Sequence, residues 1–366
     1  MKGGFSPALI QVAKMKETIN GIYNGVACVG DIIKQAAPST VFVLVDENTL
    51  KYCYPLVIQY LPQHQVISIK SGEEHKVLET CTDIWNQLTK TNADRQTILI
   101  NLGGGVIGDM GGFAAGCYKR GVRFINIPTT LLAMVDASVG AKTGIDFNGF
   151  KNQIGLFNQP LAVVVDTVFL KTLPERELLS GFAEVLKHYL ISDKEQFEWV
   201  ITNKPVLSNL NWAEVVTRNI VIKSNIVKQD PTEQGIRKAL NYGHTIGHAV
   251  ESMFLNDEQQ SLLHGEAVAI GLITEAFISG KVGLLNDVQL NEVAEVVLHY
   301  FKLPYLPQQQ YAAIINLLKQ DKKNEGGETK FTLLNPVGNY SINNSVQDDL
   351  IIQSLNYYNN LLDERR

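Results

Sequence analysis

From Gln96 to Leu102 the chain reads QTILINL and runs straight into Gly103-Gly104-Gly105-Val106-Ile107-Gly108-Asp109. An apolar run closed by glycines is a buried strand that turns directly into a helix, the βα unit of a parallel sheet. Bare glycine amides at the positive end of that helix can approach a pyrophosphate, so the turn reads as a dinucleotide site. Its spacing is not the usual G-x-G-x-x-G, and glycine-rich turns also serve tight packing alone. A second buried strand, Val41 to Val45, ends in Asp46, which in that place either binds a ribose hydroxyl or caps the next helix. Between the two, Val77, Leu78, Cys81, Ile84, Trp85 and Leu88 fall at helical spacing, as a crossover connection requires. Shorter strands are expected at Phe124 to Ile127 and Leu161 to Val165.

After Thr172-Leu173-Pro174 the rhythm changes. Glu175 to Leu190, Trp212 to Gln229 and Glu266 to Ser279 all carry helical apolar spacing, and β-like runs are few. A chain of 366 residues exceeds what one core usually supports. The expectation is therefore an α/β nucleotide-binding domain over residues 1–178 and a mainly α-helical domain over residues 179–366. A net charge of −5 leaves no electrostatic footprint for nucleic acid. Cys28, Cys53, Cys81 and Cys117 form no Cys-x-x-Cys pair, so they are expected to be reduced and buried. Lys2, Lys14 and Lys16 lie in a mixed polar stretch without an apolar signal core, and no later run is long enough to span a bilayer, which reads as cytoplasmic.

Only seven histidines occur, and three of them, His244, His248 and His264, fall close together. His244 and His248 stand at i, i+4 on a helix expected to begin near Gly243, with Asn241 just before it, and His264-Gly265-Glu266 opens another helix. Imidazoles at that spacing suit a divalent metal such as zinc, although i, i+4 pairs also occur as stacked or capping residues. Glu184, Lys187 and His188 share one side of an earlier helix. Arg120, Lys142, Lys151, Lys187, Lys223 and Arg237 stand singly beside Gly, Asn or His motifs. Cations placed that way assemble an anion site, whereas any one alone is an ordinary surface charge.

These segments resemble the 3-dehydroquinate synthase family of sugar phosphate cyclases. The resemblance rests on SGEEHK (Ser71 to Lys76), GGGVIGDMGGF (Gly103 to Phe113), YKRGV (Tyr118 to Val122), PTTLLAMVDASVGAKTGI (Pro128 to Ile145) and KNQIG (Lys151 to Gly155). The helical half adds GFAEVLK (Gly181 to Lys187), ALNYGHTIGHAVE (Ala239 to Glu251), LHGEAVAIG (Leu263 to Gly271) and DKK (Asp321 to Lys323). Met134, Ala141 and Phe150 depart from it, standing where the family pattern has Gln, Gly and Gly.

The resemblance implies an active site in the cleft between the two domains, with a divalent Zn2+ or Co2+ bound by Glu184, His244 and His264. It implies NAD+ contacts from Asp46; from Ser71, Gly72, Glu73, Glu74, His75 and Lys76; from Gly105, Val106, Ile107, Gly108 and Asp109; and from Thr129 and Thr130. Phe169, Leu170, Lys171 and Thr172 complete that set, with Lys142 and Lys151 near both cofactor and substrate. A phosphorylated sugar acid, 3-deoxy-D-arabino-heptulosonate 7-phosphate, would meet Arg120, Asp136, Lys142, Asn152, Lys187, Lys223, Arg237, Asn241, His248 and Lys322 or Lys323. The implied reaction is transient oxidation at C5, loss of phosphate, re-reduction and intramolecular aldol closure, in a homodimer. His248 would shuttle the proton at the C5 hydroxyl. A metal-dependent polyol dehydrogenase shares the glycine turn and histidines but needs no phosphate cradle. A sister cyclase would differ at the pocket, where Lys223, Arg237 and Asn241 favour the dehydroquinate branch. A binding protein without chemistry would not need Glu184, Lys187 and all three histidines.

Overall fold

The computed structural model describes residues 21–148, 150–254, 261–320 and 329–365. It separates into two compact units. One ends at Pro174 and takes in Asn211–Ser224; the other comprises Glu175–Leu210 and the chain from Asn225 onward.

The first unit is built on a six-stranded sheet. Its strands are β1 (Ile22–Asn24), β2 (Val41–Asp46), β3 (Gln65–Ile69), β4 (Ile98–Gly103), β5 (Arg123–Pro128) and β8 (Ala162–Val165), in the order β1-β8-β5-β4-β2-β3. Every pairing is parallel. All six residues of β4 are buried, as a central strand covered on both faces requires, and its apolar run is broken only by Asn101. The helices α1 (Leu78–Lys90) and α2 (Gly105–Cys117) follow β3 and β4. Cys81, Ile84 and Leu88 of α1 meet Met110, Phe113 and Ala114 of α2 in one apolar cluster with Leu44 and Leu99.

Glycines let α2 approach closely. A Cβ on Gly111 would stand 2.1 Å from Asn101 Oδ1, and one on Gly112 would stand 2.4 Å from Thr143 Cγ2. Asn101 is itself paired, donating from Nδ2 to Asn126 Oδ1 at 2.9 Å on the neighbouring strand.

An antiparallel ribbon of β6 (Lys142–Phe147) and β7 (Phe150–Phe157) completes this unit. It leaves Phe147, Ile154, Leu156 and Phe157 exposed. The apolar runs marked β2, β4, β5 and β8 in the sequence; β1, β3 and the ribbon are additions. Cys53 and Cys81 are buried as expected, but Cys28 is half-buried and Cys117, at the end of α2, is exposed.

The second unit is mainly helical, with α3 (Glu175–Ser192), α4 (His244–Phe254), α5 (His264–Lys281), α6 (Asp287–Tyr300) and α7 (Asp348–Asp363). It also holds one hairpin, β9 (Lys330–Leu334) and β10 (Tyr340–Ser345). The helix Trp212–Gln229 begins in the first unit and ends in the second. α5 is buried almost throughout and is the central helix, which is why its apolar residues run all round instead of along one stripe.

Glycine makes that centrality possible. A Cβ on Gly271 would lie 1.8 Å from Gly243 O, one on Gly247 3.1 Å from Ala267 O, and one on Gly265 1.9 Å from Ser180 O. Backbone therefore meets backbone where α4 and α3 cross α5. Among the described residues no helix is long and apolar enough to cross a membrane.

Candidate active site

In the first unit, Gly103, Gly104, Gly105, Gly108, Asp109 and Lys142 line a cavity at the start of α2, with Asn101 and Asn126 also on its wall. No side chain caps α2. Its first amides are thus open toward the cavity, as an anionic pyrophosphate needs. Thr129 N donates to Gly103 O at 3.0 Å, and Thr130 Oγ1 accepts from Ala133 N at 3.1 Å, so the two threonines brace the turn. The residues present fit a dinucleotide.

Asp46 is an N-cap: its Oδ1 accepts from Thr49 N at 2.7 Å, and Thr49 Oγ1 accepts from Asp46 N at 2.9 Å. Both sequence alternatives for Asp46 concern the same carboxylate, and the structure shows the cap. Next to it, Glu47 accepts from Ser71 N and Ser71 Oγ at 2.9 and 2.7 Å, fixing the SGEEHK loop. Gly72 turns that loop at φ +111°, and Glu74 and His75 follow within salt-bridge distance, 3.8 Å.

Lys76 ties three segments together. Its buried Nζ donates to Asp109 Oδ2 at 2.8 Å and Asn152 Oδ1 at 2.6 Å, with Glu73 at 3.8 Å and Lys151 in turn 3.4 Å from Glu73. Burial pulls the Lys76 amine down, but Asp109 and Glu73 outweigh it and raise it above the ordinary lysine range. Burial likewise raises Asp109, partly offset by Lys76. Asn152 holds φ +51°, with its N–H on Asp146 Oδ1 at 2.7 Å.

Asp136 lies on the irregular turn Ala133–Ala137, and Lys223 Nζ reaches both its carboxylate and its carbonyl at 2.7 Å. Met134 fills the core of that turn, and Ala141 holds φ +61°, which explains why a glycine would suit this position. Phe169 and Leu170 are buried, so only their backbone, with Lys171 and Thr172, can face a ligand. Val106 and Ile107 likewise belong to the first turn of α2. Arg120 stands apart. It is exposed and lines an open concavity with Asp94, Gln96 and Lys119, where none of the other expected site residues lies. Lys322 and Lys323 lie outside the described residues.

In the second unit, α3, α4 and α5 bring Glu184, His244 and His264 together. Glu184 Oε1 is 3.2 Å from His244 Nε2 and 3.3 Å from His264 Nε2. Donors bound at about 2 Å around a tetrahedral cation stand about 3.3 Å apart, so these residues fit a zinc-like ion. His248 is also near: one ring nitrogen from each of the three histidines can be chosen so that all lie within 4.8 Å of one another. The ring centres of His248 lie 5.2 Å from His244 and 5.7 Å from His264.

The outer nitrogens are held as well. His244 Nδ1 lies 3.1 Å from Tyr242 O, and His264 Nδ1 lies 3.3 Å from Glu251 Oε2. Burial lowers His244. Burial also opposes a charge on His264, yet Glu251 and Glu184 outweigh it and lift that imidazole to about 10. A set that negative suits a divalent cation.

Two buried cations belong to this unit, and one of them meets a donor. Lys187 pairs with Glu184; Arg237, 2% exposed, donates from Nη1 to Pro231 O at 2.5 Å. Asn241 Nδ2 donates to Glu233 Oε1 at 2.9 Å. Sequence reading missed three carboxylates here: Glu233, Glu251 and Glu275. Glu275, wholly buried on α5, accepts from Gly243 N at 2.7 Å and Ile246 N at 3.0 Å, and so caps α4. The available signal was an acid inside an apolar stretch, AVESMF for Glu251 and LITEAF for Glu275.

Comparison with known proteins places the chain further. Residues 66–180 match the family model for the 3-dehydroquinate synthase N-terminal region and residues 181–324 match that for its C-terminal region. The 3-dehydroquinate synthase of Parabacteroides distasonis is 43% identical over 333 residues, covering 90% of this chain and 94% of that one. Among solved structures, a 2-epi-5-epi-valiolone synthase from Streptomyces hygroscopicus with NAD+ and Zn2+ bound is 26% identical with a TM-score of 0.83, covering 96% of this chain and 99% of that one. A 2-deoxy-scyllo-inosose synthase complexed with carbaglucose-6-phosphate, NAD+ and Co2+ shares the fold at TM-score 0.79 and 24% identity, covering 92% and 96%.

Proposed function

Since the chain belongs to the 3-dehydroquinate synthase family, we propose that it converts 3-deoxy-D-arabino-heptulosonate 7-phosphate to 3-dehydroquinate and phosphate. The observation that supports this most is the Glu184, His244 and His264 donor set at metal spacing, with the buried cations Lys187 and Arg237 in the same unit. When bound, NAD would take and return a hydride at C5, and the metal, Zn2+ or Co2+, would polarise the oxygens there.

The protein's own groups would do the rest. Lys187, Lys223 and Arg237, with Asn241 and Asn152, would bind the carboxylate, phosphate and hydroxyls of the substrate. Asp136 would hold Lys223 in place. Lys142 borders the nucleotide cavity and Lys151 stands in the Lys76 cluster, which suits contacts to both ligands. His248, one turn from His244, would move the proton at the C5 hydroxyl, because an imidazole titrates near neutrality. We also infer a cytoplasmic homodimer, since Phe147, Ile154, Leu156 and Phe157 on the β6–β7 ribbon offer apolar surface that a second copy would cover.

The test is purified protein with the heptulosonate phosphate, NAD and either metal, followed by phosphate release and product identification. The expected result is one phosphate per 3-dehydroquinate formed, dependence on NAD, and no net NADH. Stoichiometric NADH without phosphate release would point instead to a polyol dehydrogenase.

A further inference from the structure

We propose that Glu251 is the positioning residue of the metal centre, accepting the Nδ1 proton of His264 so that Nε2 faces the ion. This rests on the metal reading given above and deepens it.

On α4, Glu251 follows His244 by seven residues and His248 by three, so all three point from nearly the same face of the helix. That face is turned toward the first residue of α5, His264. The two nitrogens of the His264 ring are both engaged, Nε2 at 3.3 Å from Glu184 Oε1 and Nδ1 at 3.3 Å from Glu251 Oε2. An imidazole that ligates through Nε2 carries its proton on Nδ1, and a buried N–H needs an acceptor. Glu251, 3% exposed, supplies it.

Geometry separates this role from ligation. Glu251 Oε2 meets Nδ1, whereas the nitrogen that faces Glu184 Oε1 is Nε2. His244 is held differently. There Nδ1 faces a neutral carbonyl, Tyr242 O, placed by a turn that Glu275 holds through Gly243 N and Ile246 N. His264, like His244 the first residue of its helix, receives a carboxylate instead. A charged acceptor makes the imidazole a stronger donor to the ion as well as a fixed one.

The experiment compares wild type, Glu251→Gln, Glu251→Ala and His264→Ala for Co2+ affinity by chelator competition, for the Co2+ absorption spectrum at saturation, and for thermal unfolding without added metal. His264→Ala is expected to bind Co2+ poorly. Glu251→Gln keeps an acceptor oxygen without the charge and is expected to weaken affinity roughly tenfold, and Glu251→Ala by up to about a hundredfold, with the ligand-field bands shifted but their intensity retained. If Glu251→Ala is too unstable to purify, Glu251→Gln carries the comparison. Variants that bind Co2+ within twofold of wild type overturn the assignment alone. A spectrum showing one ligand fewer in Glu251→Gln also overturns it, because Glu251 would then be a ligand. Wild type that fails to bind Co2+ overturns the metal reading itself, and this inference with it.

Discussion

Replacing Gly265 with alanine tests whether backbone contact sets the spacing of the metal donors. The new Cβ would lie 1.9 Å from Ser180 O and 2.5 Å from Ser180 Cα, where real Cβ atoms keep at least 3.0 Å. α3 and α5 must therefore part by about 1.1 Å at this crossing. Glu184 stands one turn along α3 from Ser180, and His264 is the neighbour of Gly265. An opening of that size stretches Glu184 Oε1 to His264 Nε2 from 3.3 Å to about 4.4 Å, beyond the edge of a tetrahedron with bonds of about 2 Å. The bond from Gly265 N to Ser180 Oγ, now 3.0 Å, is lost as well. Overpacking of about 1 to 3 kcal/mol and a hydrogen bond of about 1 kcal/mol add to about 2 to 4 kcal/mol. Gly280→Ala, in the same helix, is the control: its Cβ would meet Leu290 Cδ2 at 3.6 Å and Leu285 O at 3.7 Å, ordinary contact, and the helix gains about 0.5 to 1 kcal/mol. Zinc per chain after gel filtration, measured beside denaturant unfolding, reads both effects. Gly265→Ala with wild-type zinc affinity and stability would refute the reasoning.

Three further outcomes are expected. His244→Ala loses the metal, whereas His248→Ala keeps it and turns over about a hundredfold more slowly; elemental analysis beside phosphate release separates them, and equal metal loss removes the proton role of His248. Glu275→Ala strips two charge-assisted bonds from the start of α4 and destabilises the protein by about 3 kcal/mol or more, read by urea unfolding; a change under about 1 kcal/mol contradicts the cap. Lys76→Met takes the 2.8 Å partner from half-buried Asp109, at a cost of about 1 to 3 kcal/mol, and weakens NAD binding in fluorescence titration; unaltered NAD affinity would separate the Lys76 cluster from the nucleotide site.

The sequence made the central strands legible because β2 and β4 are buried on both faces and so read as near-continuous apolar runs, broken in β4 only by Asn101. β3 exposes Gln65, Val66 and Ser68, and its short mixed run gives no such signal. The β6–β7 ribbon hid behind its glycines. Gly144 and Gly155 face each other in register, and a Cβ on either would stand within 2.8 Å of the opposite backbone, so what reads as turn chemistry is a close crossing of strands. The i, i+4 histidines were visible from spacing, as was their proximity to His264. Glu251 and Glu275 were not, because their partners lie 13 and 29 or more residues away, and no periodicity reports which buried acid meets which helix start.

The glycine seam between α4 and α5 bears on metal exchange. Where Gly271 of α5 rests against Gly243 O and Gly247 of α4 against Ala267 O, main chain meets main chain and helps to fix the separation of His244 from His264. As proposed donors, the two imidazoles would be preorganised, and little rearrangement would stand between the protein with and without an ion. Choice among divalent ions then falls to ligand chemistry and to the supply in the surrounding solution. A centre built this way should accept Co2+ for Zn2+ as an interchange at one site, without passing through an unfolded helix pair.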